Sequence, residues 1–197
     1  MKSLLTCYVS RGVDFALAGA ILMLLSASSD AKTLFVSSAG DEANEGTASN
    51  PILTLAKAKE ICGRSSDDSF AILLRGGDTF TEHTSTPSDV VDKTCAFVWD
   101  IDKALTLSTY GSPEKAKLYG GFYSHNGGPV AAIAIQERST KDVLIENLSF
   151  EMWEEGAIIL EETEDVTIRH VDIDKTGTYY FTDERDKGAF MQAPVYL

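Results

Sequence analysis

Two carboxylates and an amide end three short apolar segments of the chain, and these side chains are the first candidates for chemistry. They are Asp100, Gln136 and Glu161. If the segments are strands of one stack, with neighbours about 4.8 Å apart, the carboxylates of Asp100 and Glu161 are separated by roughly 10 Å, near the upper limit for an acid and a base acting across a glycosidic bond. The pattern predicts a polar row with catalytic Asp100 and Glu161 and substrate-binding Gln136. The same alternation predicts an outward apolar row that would offer a glycan apolar contacts beside it: Val98, Ala134, Ile159 and Met191. The alternative is a solvated strand edge carrying ordinary acids.

Two further stretches combine aromatic rings with ionisable groups. Substrate-binding candidates whose rings could stack on sugars occur in both: Tyr123, His125, Tyr179 and Tyr180. In the second stretch, Arg185 or Lys187 could act as the catalytic base of a lyase, beside a cation held by neighbouring acids. The alternatives are packing of the first stretch on the body of the protein and a solvated, charged loop tip in the second.

The chain has oxygen ligands suited to Ca²⁺ but no recognisable calcium motif. Asp41, Glu42, Asn44 and Glu45 lie close together without the spacing of an EF-hand loop. Simple solvation of these side chains is the alternative. No CxxC spacing or His-Cys cluster indicates a zinc or redox site. Ca²⁺ is therefore the candidate cofactor, and no other is predicted.

A repeat in the sequence predicts the strands that must position these residues. The segment 141–150 lines up with 164–173 at an offset of 23, and apolar residues occupy the same four places in each copy. Within the first copy, Val143 and Ile145 are out of phase with Leu148 and Phe150, so a straight strand could not bury all four on one face. The repeat therefore predicts two short strands separated by a bend, near residues 146–147 and again near 169–170.

A third copy lies upstream and extends the pattern. Five residues each stand 61 positions before an equivalent in the last copy: Phe97, Trp99, Leu105, Leu107 and Tyr110 precede Ile158, Leu160, Val166, Ile168 and Val171. A unit of about two dozen residues built from short strands cannot bury its apolar face alone, so consecutive units must stack. The repeat predicts an all-β fold, a β-helix. The alternative is a sandwich or barrel.

The segment before the repeats predicts a cap for this solenoid. We expect a strand at 34–36, a short amphipathic helix at 54–63 that covers the open N-terminal end of the core, and a strand at 70–75. Asn50 or Thr54 can serve as the helix N-cap, and Gly63 is placed to end the helix. The predicted domain spans 32–197, with its cap at 32–69 and its coils at 70–197.

The same segment resembles a known superfamily. The resemblance is carried by Phe35-Val36-Ser37-Ser38-Ala39-Gly40-Asp41, Gly46-Thr47, Asn50 to Ala58 and Leu73-Leu74-Arg75-Gly76-Gly77. These residues look like the N-terminal signature of secreted right-handed parallel β-helix proteins of the pectate-lyase-like superfamily. The resemblance implies the fold and leaves the chemistry open, because that superfamily includes polysaccharide lyases, glycoside hydrolases and non-catalytic surface proteins.

Residues 1–31 are predicted to be a signal peptide. Lys2 and Arg11 precede an apolar run at 15–25, which is too short to span a bilayer comfortably. A secreted, cell-surface or periplasmic protein follows, without membrane insertion after cleavage. Cys62 and Cys95 remain in the exported chain, and they are predicted either to form a disulfide or to be two buried thiols.

The charge of the chain excludes one class of partner. Its 17 basic and 30 acidic residues give a net charge of −13, which repels nucleic acid and anionic membranes. The coils differ in length, with an expected insertion at 111–128, and this irregularity favours a polysaccharide lyase or glycoside hydrolase. A non-catalytic, adhesive β-helix that binds glycans or other surfaces is the alternative.

The end of the sequence predicts an incomplete last coil. Gly188-Ala189-Phe190-Met191 repeats Gly156-Ala157-Ile158-Ile159, so a fourth copy is expected to begin at Phe190 without its second half. The polar row would then continue to Gln192. An apolar core left open at this end predicts self-association through the uncapped end.

Overall fold

The computed structural model describes residues 31–81, 84–85, 94–121, 129–136, 142–153, 156–160, 163, 165–176 and 195–196. In chain order the elements are β1 (Lys32–Val36), α1 (Leu55–Arg64), β2 (Ser69–Arg75), β3 (Thr79–Phe80), β4 (Thr84–Ser85), β5 (Thr94–Trp99), β6 (Ala104–Tyr110), β7 (Ala116–Tyr119), β8 (Pro129–Ile135), β9 (Val143–Glu146), β10 (Leu148–Glu151), β11 (Gly156–Leu160), β12 (Val166–Arg169), β13 (Asp172–Asp174) and β14 (Val195–Tyr196). In these ranges, no helix has the length and apolar character needed to cross a membrane.

The strands form three sheets that the chain visits in turn. Sheet A has the order β1-β2-β6-β9-β12, sheet B the order β13-β10-β7-β3, and sheet C the order β14-β11-β8-β5-β4. From β5 onward the chain passes from C to A to B and returns to C one strand further along. All strand pairs are parallel except β4 with β5. The arrangement is β-helix-like, and one circuit of the three sheets is called a coil below.

The register confirms the 23-residue repeat. Val143 lies opposite Val166 in sheet A, and Ile145 lies opposite Ile168. The predicted bends are present, because Asn147 and His170 have positive φ angles of 56° and 53°. A single residue in this left-handed conformation reverses the phase between strands, so that both halves of each copy direct apolar side chains inward.

The upstream copy matches in two sheets and fails in the third. Leu105 and Leu107 stack on Val143 and Ile145 as predicted, but Tyr110 does not take the place of Val171. Strand β6 continues to Tyr110, which lies opposite Arg75 in sheet A, and the equivalent position in sheet B belongs to Ala116. The expected insertion at 111–128 was therefore wrong in part, since β7 lies inside it.

Helix α1 forms where the sequence predicts it, shifted by one residue, and its apolar face packs in the main core. The Thr54 side chain accepts a hydrogen bond from the Lys57 N–H, and Leu55, Ala58 and Cys62 are fully buried. The helix does not end at Gly63 but continues to Arg64. Its last carbonyl groups are satisfied by Lys103, whose Nζ donates to the oxygens of Cys62 and Ser65 at 2.9 and 2.6 Å. The Ser65 N–H also donates to the Ile61 and Cys62 carbonyls at 3.1 and 3.3 Å, so a backbone cap and a distant lysine together satisfy the end of the helix.

Inward side chains are fully buried in the middle coils and only partly buried at β12 and β13. Their inward residues are only partly buried: Val166, Ile168, Val171 and Ile173. The strand next to β11 in sheet C is β14, with Val195 opposite Ile158. The prediction that Phe190 and Met191 stack there, followed by Gln192, was wrong by five residues, because Val195–Tyr196 takes that place.

Charged side chains on the exterior of sheet B bridge successive coils. Glu151 accepts from Lys117 at 2.7 Å and from Lys175 at 3.3 Å. Lys115 pairs with Asp172 at 2.7 Å. These ion pairs join three coils on the outside of the sheet, so this charged face has a structural role.

Candidate functional site

The candidate site is the edge at which strands of sheet C end. Asp100 directly follows β5, and Gln136 directly follows β8. The two coils are in register here, because Trp99 lies opposite Ile135 and the Gln136 N–H donates to the Trp99 carbonyl at 2.9 Å. Two polar residues of the predicted row are therefore placed on neighbouring coils.

A lysine that sequence reasoning missed completes this edge. Lys59 of α1 reaches Asp100, with 2.7 Å between Nζ and Oδ1, and the two side chains are 27% and 36% exposed. We call Lys59, Asp100 and Gln136 the edge cluster. Lys59 and Asp100 are 41 positions apart, so the sequence gives no direct sign that they meet. The one signal that Lys59 lies near the core was its position one helical turn after the apolar Leu55, beside the packed face of α1.

The local structure holds Asp100 in place. The preceding Trp99 is fully buried, and its Nε1 donates to the Lys103 carbonyl at 3.1 Å. The following turn is closed by a hydrogen bond from the Lys103 N–H to the Ile101 carbonyl at 2.8 Å. Lys103 also binds the end of α1, so one corner fixes both the strand that carries Asp100 and the helix that carries Lys59.

The apolar row beside the edge cluster is buried. Val98, Ala134 and Ile159 stack as predicted. They face away from the main core and form a second apolar cluster with Cys95 and Ala131, in which no residue is more than 7% exposed. The expectation of an exposed apolar strip beside the polar row was wrong. Ligand contacts at this edge therefore depend on polar groups.

Cys62 and Cys95 are buried and are not joined by a disulfide, so the alternative of two buried thiols is correct. Cys62 packs in the main core, whereas Cys95 belongs to the second cluster. Burial raises the pKa of the Cys62 thiol to about 12, so this thiol is neutral and unreactive at neutral pH.

The remaining predicted site residues lie outside the described part of the chain: Glu161, Arg185, Lys187, Tyr123, His125, Tyr179 and Tyr180. In the described ranges, no group of three or more His, Cys, Asp or Glu residues is arranged to hold a metal ion. In the loop considered for Ca²⁺, Asp41 Oδ1 accepts from the Ala43 N–H, and Asn44 donates to the Pro51 carbonyl. These side chains stabilise the loop itself.

The edge cluster combines three complementary polar groups. The Asp100 carboxylate accepts hydrogen bonds, the Lys59 ammonium donates them, and the Gln136 amide does both. All three are partly exposed, so they can exchange hydrogen bonds with the hydroxyl groups of a bound molecule. Because neighbouring strands are about 4.8 Å apart, such a molecule could contact successive coils.

Comparisons with known proteins bear on the fold. No protein-family model matches the chain, and no curated protein sequence matches it. A rhamnogalacturonan lyase structure is similar with a TM-score of 0.50 at 11% identity, covering 73% of this chain and 37% of that chain. Two crystal structures of the GH136 lacto-N-biosidase from Eubacterium ramulus have TM-scores of 0.42 and 0.36 at 15% and 13% identity, covering 75% and 73% of this chain and 35% and 34% of theirs.

The likeness to the lyase shows a shared fold and nothing more. At 11% identity, a shared fold does not imply shared chemistry. The chain spans little more than a third of the length of these structures.

Proposed function

We propose that this protein is a secreted, right-handed parallel β-helix of the pectate-lyase-like superfamily that acts on polysaccharide. The observation that carries the proposal is the edge cluster, in which Lys59, Asp100 and Gln136 line the strand ends of two successive coils. An extended glycan crossing these coils would meet a donor and an acceptor on each of them. The right-handed turn is supported by the strong preference of parallel crossover connections for that hand.

The proposed reaction is elimination or hydrolysis at a glycosidic linkage. In a hydrolase, Asp100 would be the base and Glu161 would be the acid. In a lyase, the base would be Arg185 or Lys187, and Asp100 with Gln136 would hold the sugar. Tyr123, His125, Tyr179 and Tyr180 are proposed to stack on the chain of sugars, and Ca²⁺ would bridge a polyanionic substrate to this acidic protein.

A non-catalytic role in glycan binding is the second candidate, and the ion pair favours it. At 2.7 Å, Lys59 occupies an oxygen of Asp100, the only predicted catalytic acid among the described residues. The apolar row of the same sheet is also buried, which leaves hydrogen bonding as the main contribution of the edge. Binding without turnover would use the same residues.

One assay separates these roles. The full chain is incubated with a panel of polysaccharides, with and without Ca²⁺, while unsaturated products, new reducing ends and binding are followed. For an enzyme, Asp100→Asn lowers turnover at least about hundredfold, whereas the matched control Asp102→Asn, an exposed acid two residues away, leaves it unchanged. Binding that weakens in Gln136→Ala without any turnover selects the non-catalytic role. Absence of both binding and turnover on every polymer refutes the proposal.

A further inference from the structure

The edge cluster lies at the corner where the chain passes from sheet C to sheet A. Among the described strands this passage leads from β5 to β6, from β8 to β9 and from β11 to β12. Because β5, β8 and β11 are neighbours in sheet C and β6, β9 and β12 are neighbours in sheet A, these connections lie beside one another. A molecule bound across the edge cluster is therefore close to the charges of all of them.

Exposed carboxylates of successive coils meet at this corner. The Asp142 carbonyl accepts from the Leu105 N–H at 3.0 Å, and the Asp165 carbonyl accepts from the Val143 N–H at 3.1 Å. These bonds place the two aspartates on neighbouring coils, each directly before a strand of sheet A. Both are exposed, as is Asp102 in the connection from β5 to β6. Stacking the coils therefore brings like charges together.

The two lysines that the structure describes beside these carboxylates are both engaged. Lys103 Nζ donates to two carbonyl oxygens at the end of α1, at 2.9 and 2.6 Å. Lys59 Nζ lies 2.7 Å from Oδ1 of Asp100. Each ammonium thus has a partner in the protein, and neither is left as an unpaired charge for an anionic ligand.

The sequence of the connections has the same imbalance of charge. Together they contain eight acidic and three basic residues, in the ranges 100–103, 136–142 and 161–165. The acids remain in excess when Lys59 is added. At physiological ionic strength such a charge acts over about 8 Å, so it repels a polymer that carries a carboxylate on each sugar. A neutral polymer meets no such repulsion.

Within the edge cluster the charges cancel. Lys59 and Asp100 form one ion pair, with side chains 27% and 36% exposed, and the Gln136 amide is neutral. Sugar hydroxyl groups can use the remaining donors and acceptors while the pair stays intact. A carboxylate of the ligand would have to compete with Asp100 for Lys59, and an amine would have to compete with Lys59 for Asp100. The cluster is therefore suited to hydroxyl groups.

We propose that the edge cluster binds a neutral glycan, and that Asp100 sets this preference by pairing with the Lys59 ammonium, which could otherwise receive an acidic sugar. The inference rests on the proposed function and selects among its substrates. It also selects the reaction of an enzyme acting here. Elimination removes a proton from the carbon beside a uronate carboxylate, and a neutral sugar lacks that group. Cleavage is then hydrolysis, in which water adds across the glycosidic bond and one new reducing end forms.

The first test compares ligands that differ only in charge. The full chain is titrated calorimetrically with oligomers of polygalacturonate, alginate and glucuronan, and with the carboxyl-reduced form of each. At ~20 mM salt, at least one reduced oligomer should bind about tenfold or more tightly than its acidic parent. Its affinity should stay nearly constant up to ~500 mM salt, whereas binding of the parent should improve as salt screens the repulsion.

Three outcomes of these titrations are decisive. An acidic parent that binds as tightly as its reduced form, with or without Ca²⁺, overturns the inference. So does a chitosan oligomer that binds more tightly than every neutral oligomer, since the surrounding carboxylates would then select the ligand. Absence of binding to every probe refutes the proposed function itself.

The second test changes the pair. Asp100→Asn removes one carboxylate and releases the Lys59 ammonium, so the affinity for the acidic oligomer relative to the reduced one should rise at least about tenfold. Adding Lys59→Gln restores the wild-type net charge with two neutral groups of similar size. The affinity ratio should then return to within about threefold of the wild-type value.

Asp102→Asn is the matched control for the second test. It removes the same charge from the same turn while Lys59 stays paired with Asp100, so the affinity ratio should change by less than about threefold. Circular dichroism verifies that each variant is folded. An equal rise in Asp100→Asn and Asp102→Asn contradicts the role of the pair, as does a double variant that keeps the raised ratio.

Discussion

Strands β9 and β12 have the same inward residues but lie in different surroundings. Each follows an aspartate and carries an inward valine and an inward isoleucine, yet Val143 and Ile145 are buried while Val166 and Ile168 are half-buried. The difference lies in their neighbours, because β9 is flanked by β6 and β12, whereas β12 is flanked by β9 alone among the described strands. In a stacked fold, the contribution of a side chain to stability is set by the coils on either side of it.

The largest expected effect comes from truncating the paired isoleucines. Ile145→Ala should lower the free energy of unfolding by about 3 kcal/mol, because it opens a cavity between two coils. Ile168→Ala should cost about 1 kcal/mol, because a half-exposed side chain loses less buried area. Urea denaturation of dilute protein measures both. Equal losses would show that β12 is as well covered as β9 and would remove the contrast between them.

An intermediate effect is expected at the two bends. Asn147 and His170 both adopt the left-handed conformation, which asparagine tolerates well. Asn147→Ala should destabilise by about 1 kcal/mol, and it also removes the amide that donates to Ser108 Oγ at 3.4 Å. His170→Asn should be neutral or stabilising by less than about 0.5 kcal/mol. Thermal unfolding measures both changes, and a strongly destabilised His170→Asn would reveal a specific contact of the imidazole.

The smallest effect concerns the ion pairs of Glu151, which join three coils on the outside of sheet B. Hydrogen bonds from Lys117 and then Lys175 lower the pKa of Glu151. A lowered pKa contributes stability above the unfolded value of about 4.3, and this contribution disappears as the pH falls through the folded value. Glu151→Gln should therefore flatten the loss of stability in acid, by less than about 1 kcal/mol. Glu42→Gln, a change at an exposed loop residue, is the control, and an unaltered acid limb in Glu151→Gln would show that the pairs are energetically silent.

The sequence was most informative where stacking imposes a constraint on every coil. Inward residues repeat because each must pack on its equivalent one coil away, so the 23-residue offset predicted both the parallel pairing of Val143 with Val166 and the bends at Asn147 and His170. The cap was predicted for a similar reason, since Thr54 and the apolar face of α1 are local signals.

The pattern failed where the chain departs from the repeat. Tyr110 was assigned to sheet B by its spacing alone. In the structure, β6 of sheet A continues through Tyr110, and the centroids of the Tyr110 and Phe35 rings are 4.9 Å apart. The apolar row at Val98 was read as exposed because alternation gives the side of a sheet and not what covers that side.

The candidate site was predicted less completely than the fold. Asp100 and Gln136 follow from the repeat, because they stand at the same position of successive coils. Lys59 belongs to α1, which lies outside the repeats. Its contact with Asp100 therefore follows no period of the sequence and could not be predicted from the repeat. The two cysteines illustrate the same limit: Cys62 and Cys95 are an even number in the sequence, and only the structure shows that they belong to separate clusters.

The attachment of α1 has a consequence for the order in which the protein acquires its structure. Lys103 binds the end of the helix from 41 and 38 residues away, and Lys59 of the helix reaches Asp100 over the same span. Contacts this distant in sequence form only after the intervening chain exists and its loop has closed. During synthesis, these bonds to α1 therefore form only after the β5–β6 corner has emerged, and until then the helix is held by the earlier part of the chain alone.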